Sequence, residues 1–143
     1  MGASGWDYVV DYRDDVRAAF AELQRTVLAE GDYYRGFDDE NTYESMDDLQ
    51  AAKDEEEFWE EGTHSILDMV EVVDSGAEDD VARVRVLRED EVRALFGTDR
   101  PTAVDFERFQ AGEWHVDRWQ GHVTTLYRDG QPASLAFWGV SGD

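Results

Sequence analysis

The stretch His122-Val123-Thr124-Thr125-Leu126-Tyr127-Arg128-Asp129-Gly130-Gln131-Pro132-Ala133-Ser134-Leu135-Ala136-Phe137-Trp138-Gly139-Val140 decides the fold class. Asp129-Gly130 lies between two runs rich in β-branched and aromatic residues. That pair signals a type I′ turn, whose two central residues both need positive φ. A two-residue loop fixes register, so Arg128 should face Gln131 and Tyr127 should face Pro132, with partners stepping outward in order. One face would then carry His122, Thr124, Leu126, Ala133, Leu135 and Phe137. The other would carry Val123, Thr125, Tyr127, Pro132, Ser134, Ala136 and Trp138. Pro132 lacks an N–H, which costs little in a non-hydrogen-bonded pair if its strand is an edge.

Working outward, the opening Trp6-Asp7-Tyr8-Val9-Val10-Asp11-Tyr12 alternates as a half-buried strand does, with Trp6, Tyr8, Val10 and Tyr12 on one face. Val16, Phe20, Leu23 and Val27 then fall on one helical stripe. Asp14 and Asp15 suit the positive start of that helix and Gly31 suits its stop. Ser45 followed by Asp48 resembles an N-cap with an acid at the third position. The helix it opens would gather Met46, Leu49, Ala52 and Trp59, although the like charges of Asp54 to Glu57 oppose it. Ser65 to Val73 reads as a strand buried on both faces. Asp74 to Asp80 reads as a turn and Val81 to Leu87 as the next strand, with Ala82, Val84 and Val86 opposite Arg83 and Arg85. Arg88 to Phe96, ended by Gly97, reads as a helix. Thr102 and Asp105 would cap a short one carrying Phe106 and Phe109. The expectation is one α+β domain over residues 1–143. Its sheet would be mostly antiparallel, built of the N-terminal strand, the central strands and the C-terminal hairpin, and covered by three to four helices.

Charge is unevenly spread. The chain has 35 acidic and 13 basic residues, a net charge of −22. From Asp38 to Glu61 there are twelve carboxylates and one cation, Lys53, so 12 − 1 = 11 negative charges, half the total, sit in 24 residues. Residues 82–143 hold ten acids and eight arginines and are nearly balanced. Such a field attracts cationic partners and repels nucleic acid and anionic membranes. Eighteen aromatics and 41% apolar residues argue for a packed core. Cysteine is absent, which rules out disulfides and thiolate metal sites. No apolar run approaches the ~20 residues of a membrane span. The first residues lack the pattern of a secretory signal, so a cytoplasmic protein is expected.

Chemistry-bearing residues are few. Gly62-Thr63-His64-Ser65-Ile66-Leu67-Asp68 groups a His, a Ser and an Asp. In an extended strand His64 and Ser65 would point to opposite faces, so a relay is not expected. Asp68 lies in the row of Ile66, Val70 and Val72, where a carboxylate needs an arginine (Arg83 or Arg85) or a raised pKa. No catalytic residue is assigned; His64 and Asp68 are the candidates. Trp114, Trp119, Tyr127 and Trp138 are candidates to floor a ligand pocket, against the plainer role of core aromatics. His64, His115 and His122 have no metal-ligand spacing, the acid clusters lack the calcium-loop order, and no glycine-rich phosphate loop is present. No metal and no cofactor are expected.

Four blocks belong together: Gly5-Trp6-Asp7-Tyr8-Val9, Gly31-Asp32-Tyr33-Tyr34, Gly62 to Asp68, and Phe137-Trp138-Gly139-Val140-Ser141-Gly142-Asp143. They resemble a family of small uncharacterised actinobacterial proteins. The resemblance implies a single cytoplasmic bacterial domain and carries over no catalytic residue, since the family has no assigned activity. It leaves residues 35–61 and 74–112 uncovered.

The leading functional expectation is a non-catalytic binding protein that sets the acidic segment 38–61, with Asp47, Asp48, Asp54, Glu55, Glu56, Glu57, Glu60 and Glu61 as its contacts, against a basic protein surface, as an immunity protein, an antitoxin or a phosphate-mimicking inhibitor would. A small enzyme or ligand-binding domain around His64, Asp68 and the C-terminal aromatics is the alternative. A salt-adapted acidic coat with no specific partner is the third.

Overall fold

The computed structural model of the chain describes residues 4–36, 41–110 and 116–142. Strand β1 (Gly5–Asp11) leads into helix α1 (Val16–Glu30). The Asp15 carboxylate accepts from the Ala18 N–H at the start of α1, and Gly31 closes it with φ 67°. Helices α2 (Met46–Lys53) and α3 (Phe58–Glu61), strand β2 (Glu71–Val73), strand β3 (Arg83–Val86), helices α4 (Glu89–Phe96) and α5 (Ala103–Gln110), and strands β4 (Gly121–Arg128) and β5 (Gln131–Val140) follow in order.

The strands form one sheet in the order β1-β5-β4-β3-β2. The class is α+β, but the sheet is mixed rather than mostly antiparallel. The β1/β5 and β5/β4 pairs are antiparallel, whereas β4/β3 and β3/β2 are parallel. Two connections account for the difference. Residues 74–82 carry the chain from the end of β2 back to the start of β3. Helices α4 and α5 then make the crossover from β3 to β4.

Adjacent residues of β5 separate the two sides of the sheet. Leu135 and Phe137 join Trp6, Phe20, Leu23, Leu49, Ile66 and Met69 beneath α1 and α2. Ala136 and Trp138 join Leu126, Val92, Phe106 and Phe109 beneath α4 and α5. The result is a three-layer arrangement, helices on both faces of the sheet.

The hairpin turn forms as expected, with φ of 53° at Asp129 and 78° at Gly130. Its register agrees for two pairs, Arg128–Gln131 and Tyr127–Pro132, and then slips. Leu126 faces Ser134, so Ala133 is an extra, bulged residue. Beyond it the faces differ from the expected sets: Ser134, Ala136 and Trp138 share a side with His122, Thr124 and Leu126. Pro132 is tolerated in a central strand because β1 pairs only from Ser134 onward. The Tyr127 N–H beside it donates to the Pro101 carbonyl at 2.8 Å.

A second correction concerns residues 65–73. Only Glu71–Val73 is strand, and Ile66–Asp68 is a 3-10 turn whose N-cap, Ser65, accepts from the Leu67 N–H. A third concerns the acidic helix. It breaks across Asp54–Glu57 into α2 and α3, where like charges would have stacked along one turn.

Candidate functional site

Gly62 ends α3, its N–H donating to the Phe58 carbonyl, and turns the chain with φ 69° into Thr63. Thr63 donates twice to one carboxylate oxygen of Asp68, from its N–H at 2.6 Å and from its hydroxyl at 2.9 Å. Ser65 lies 2.6 Å from the Thr63 hydroxyl and caps the Leu67 N–H. These bonds fold the segment into a closed loop instead of the expected strand. Gln24, reaching from α1, holds the same loop by donating to the Ile66 and Met69 carbonyls.

Asp68 is 0% exposed. Its Oδ2 has no hydrogen-bond partner among the described residues. The expected arginine is absent: Arg83 pairs with Glu71, and Arg85 with Asp79 and Glu91. The cation that acts on Asp68 is Lys53, the only lysine of the chain. Lys53 is 7% exposed and donates to the Met69 carbonyl at 2.8 Å. Burial pushes the Asp68 carboxyl up to about 6, against the Thr63 hydrogen bonds and the attraction of Lys53 and His64. Burial likewise draws the Lys53 ammonium down to about 8, and the attraction of Asp68 opposes it. Tyr8, beside Ser65 and Ile66, is pushed up to about 12 by its own burial. Carboxyl, ammonium, phenol and two hydroxyls thus occupy one buried polar knot.

His64, with φ 54°, stacks on Tyr34 at 4.6 Å between ring centres. The Thr63 hydroxyl bonds both Ser65 and Asp68, so those two side chains are linked through Thr63. Of the four candidate pocket aromatics, Trp119 reaches this region: a Cβ at Gly62 would lie 2.8 Å from its ring and 2.8 Å from Asp68. Tyr127 sits instead under Arg100, and Trp138 is buried in the opposite layer among Phe96, Phe106 and Phe109. Trp114 and His115 lie outside the described residues, as do Asp38, Asp39 and Glu40.

Parts of the four sequence blocks meet here. Gly139 faces Trp6 across β1 and β5, Ser4 and Ser141 exchange hydrogen bonds, the Tyr34 N–H donates to the Thr63 carbonyl, and Gly142 lies against Trp119.

Glu44, Asp47, Asp48, Asp54, Glu55, Glu56, Glu57, Glu60 and Glu61 are all exposed, and none forms an ion pair among the described residues. Lys53, the one cation between residues 38 and 61, is turned inward and donates to the Met69 carbonyl, away from these charges.

A separate polar cluster lies under α4. Arg85, 3% exposed, makes two 2.6 Å bonds to Glu91 and one of 2.7 Å to Asp79. His122 Nε2 lies 2.9 Å from the same Asp79 oxygen. The Arg85 hydrogen bonds bring Glu91 down to about 2. Burial keeps His122 below the usual imidazole range. Every Arg85 nitrogen is engaged, so this cluster reads as a clasp between β3, β4, α4 and residues 74–82.

The sequence reading missed Lys53 and the Thr63–Asp68 bonds. Two signals were there: Lys53 continues the Met46, Leu49 stripe of α2, and Ser65 to Asp68 has the Ser-x-x-Asp spacing of a cap. Among the described residues no group of three or more His, Asp and Glu is placed to hold a metal ion, and no helix is long and apolar enough to cross a membrane. Comparison of the chain with family models, curated proteins and solved structures returns no match.

Proposed function

We propose that this chain is a non-catalytic binding protein that presents residues 44–61 to a basic protein surface, as an immunity protein, an antitoxin or a phosphate-mimicking inhibitor would. The observation carrying this reading is the pairing of nine exposed carboxylates with a buried Lys53. A surface serving only solubility gains from interspersed cations, which lower its self-repulsion. Here the one cation within the segment, Lys53, is buried where it cannot do so. Clustered carboxylates speed encounter with a cationic face and make binding strongly salt-dependent. Affinity capture from the native host extract at about 0.05 and 0.5 M salt tests this. A basic protein retained only at low salt is expected, and the absence of any such partner sinks the reading.

A second reading is a small ligand-binding or catalytic domain centred on Asp68. It is favoured by one observation: this carboxylate is fully buried, unpaired with arginine, and adjacent to Trp119 and His64. Asp68→Asn separates the two. It should retain salt-sensitive capture of a basic partner under the first reading, weakened at most, and abolish small-ligand binding under the second.

A further inference from the structure

Charge alone does not produce tight binding, because an exposed ion pair gains little against solvent screening and the ordering of two long side chains. Recognition surfaces concentrate affinity in a few desolvated anchors, often aromatic residues or arginine. The acidic segment contains a hollow suited to such an anchor. A cavity of about 200 Å³ is lined by Tyr43, Phe58, Glu55, Glu57, Glu61 and Gly62, among others. That is below the ~300–1,000 Å³ typical of drug-sized ligands and cofactors, so it fits a single side chain better.

Its walls have two chemistries. Tyr43 and Phe58 have ring centres 6.4 Å apart with planes inclined at 56°, and Tyr33 stacks behind Tyr43 at 6.0 Å. The Tyr33 hydroxyl, accepting from the Tyr43 N–H at 3.2 Å, fixes that ring in place. Glu55, Glu57 and Glu61 supply charge, and none has an ion-pair partner among the described residues. Behind Gly62 lies a third element. A Cβ there would stand 2.8 and 2.9 Å from the two Asp68 oxygens, so bare backbone separates the cavity wall from a buried carboxylate. One of those oxygens, Oδ2, lacks any hydrogen-bond partner among the described residues.

We propose that this cavity is the anchor point of the acidic surface and receives one arginine side chain of a basic partner protein. The inference rests on the binding-protein reading above and names the chemistry that reading leaves open. Guanidinium suits the site better than ammonium. It is planar, stacks on aromatic faces, pairs with two carboxylate oxygens at once and sheds water more readily.

The test uses the full chain and the probe peptide acetyl-Gly-Arg-Gly-amide, with citrulline replacing arginine as the neutral isostere, followed by NMR. The arginine peptide should shift the Tyr43, Phe58 and Gly62 resonances saturably, and the citrulline peptide should bind at least about tenfold more weakly. Two variants with equal charge change then locate the site. Glu55→Gln/Glu57→Gln/Glu61→Gln should weaken the peptide about tenfold, and Asp54→Asn/Glu56→Gln/Glu60→Gln about two- to threefold. Matching melting curves establish that both variants are folded. Equal losses in the two variants, or shifts spread along residues 44–61, would overturn the anchor and leave the acidic surface standing. No peptide binding alongside salt-sensitive partner capture overturns it in the same way. Failure of both peptide binding and partner capture overturns the anchor and the binding-protein reading together.

Discussion

Asp68 and Lys53 each sit where the charged form is the costly one, and the pH dependence of stability follows. Folding raises the Asp68 pKa from 3.8 to about 6, so its contribution is complete below about pH 4 and is lost as pH rises through about 6. Folding lowers Lys53 from 10.5 to about 8, so its contribution is present above about 10.5 and is lost as pH falls through about 8. Between about pH 6 and 8 neither contributes, and unfolding free energy should pass through a trough. At about 1.4 kcal/mol per pH unit, the Asp68 arm has a ceiling of about 3 kcal/mol. Urea denaturation of Asp68→Asn against the parent, from pH 4.5 to 7, should show the parent alone losing stability. Parallel curves would refute it. In Lys53→Met the Met69 carbonyl keeps the Gln24 amide as donor. That variant should lose the rise between pH 8 and 10.5 and, with the attraction of Lys53 gone, lose the Asp68 contribution at a higher pH than the parent. Gly139 carries a steric prediction instead. A Cβ there would come within 2.2 Å of the Trp6 ring and 2.7 Å of the Gln120 carbonyl. Gly139→Ala should cost about 3 kcal/mol, read as a lower urea midpoint, since rigid ring and backbone must both move.

Among the elements, the parallel half of the sheet depends on the clasp around Arg85. Residues 74–82 have no strand or helix of their own, and Asp79 fastens them to Arg85 and His122. Glu91 adds α4 to the same group, and also accepts from the Arg88 N–H at that helix's start. Removing a buried partner strands the other charges, so Arg85→Met should destabilise by about 3–5 kcal/mol. Arg83→Met, which breaks a more exposed pair with Glu71, should cost about 1 kcal/mol or less. Chemical denaturation of the two variants side by side checks this, and equal losses would rule out the clasp. These elements also show what was legible beforehand. The first strand, α1 with its caps, α4, α5 and the Asp129-Gly130 turn were readable because each has a local cause, a period or a cap. The register beyond Pro132 was not, since Ala133 bulges to pass its carbonyl to the Tyr12 N–H, a contact 121 residues away in sequence. The strand expected over 65–73 gave way because Thr63, Ser65 and Asp68 satisfy one another locally. Parallel pairing was hidden for a related reason: it depends on Asp79 meeting an arginine on the next strand. Of the candidate site, the exposed acids and Asp68 were visible as residue types, whereas the burial of Lys53 needed the packed structure.

For the molecule as a whole, the separation of charge makes folding and binding respond to salt in opposite directions. Nine exposed carboxylates between Glu44 and Glu61 repel one another and form no ion pair among the described residues, while the clasp and the pairs of Arg88 and Arg93 lie in the second half of the chain. The Debye length falls from about 30 Å at 0.01 M to about 8 Å at 0.15 M, which screens that repulsion. Thermal stability should therefore rise over this range as affinity for a basic partner falls. A variant carrying Asp54→Asn, Glu55→Gln, Glu56→Gln, Glu57→Gln and Glu60→Gln separates a local from a distributed origin. It removes 5 of the 22 net negative charges, yet 5 of the 9 carboxylates between Glu44 and Glu61. If the segment governs both responses, melting temperature at 0.01 M should increase by several degrees and the salt slopes of melting and of partner capture should each drop by about half. An acidic coat adapted to salt everywhere predicts a reduction nearer one quarter in the melting slope. It also predicts no partner capture to be reduced. A slope reduced by one quarter would therefore assign the acidity to the whole surface, and a slope halved would assign it to residues 44–61.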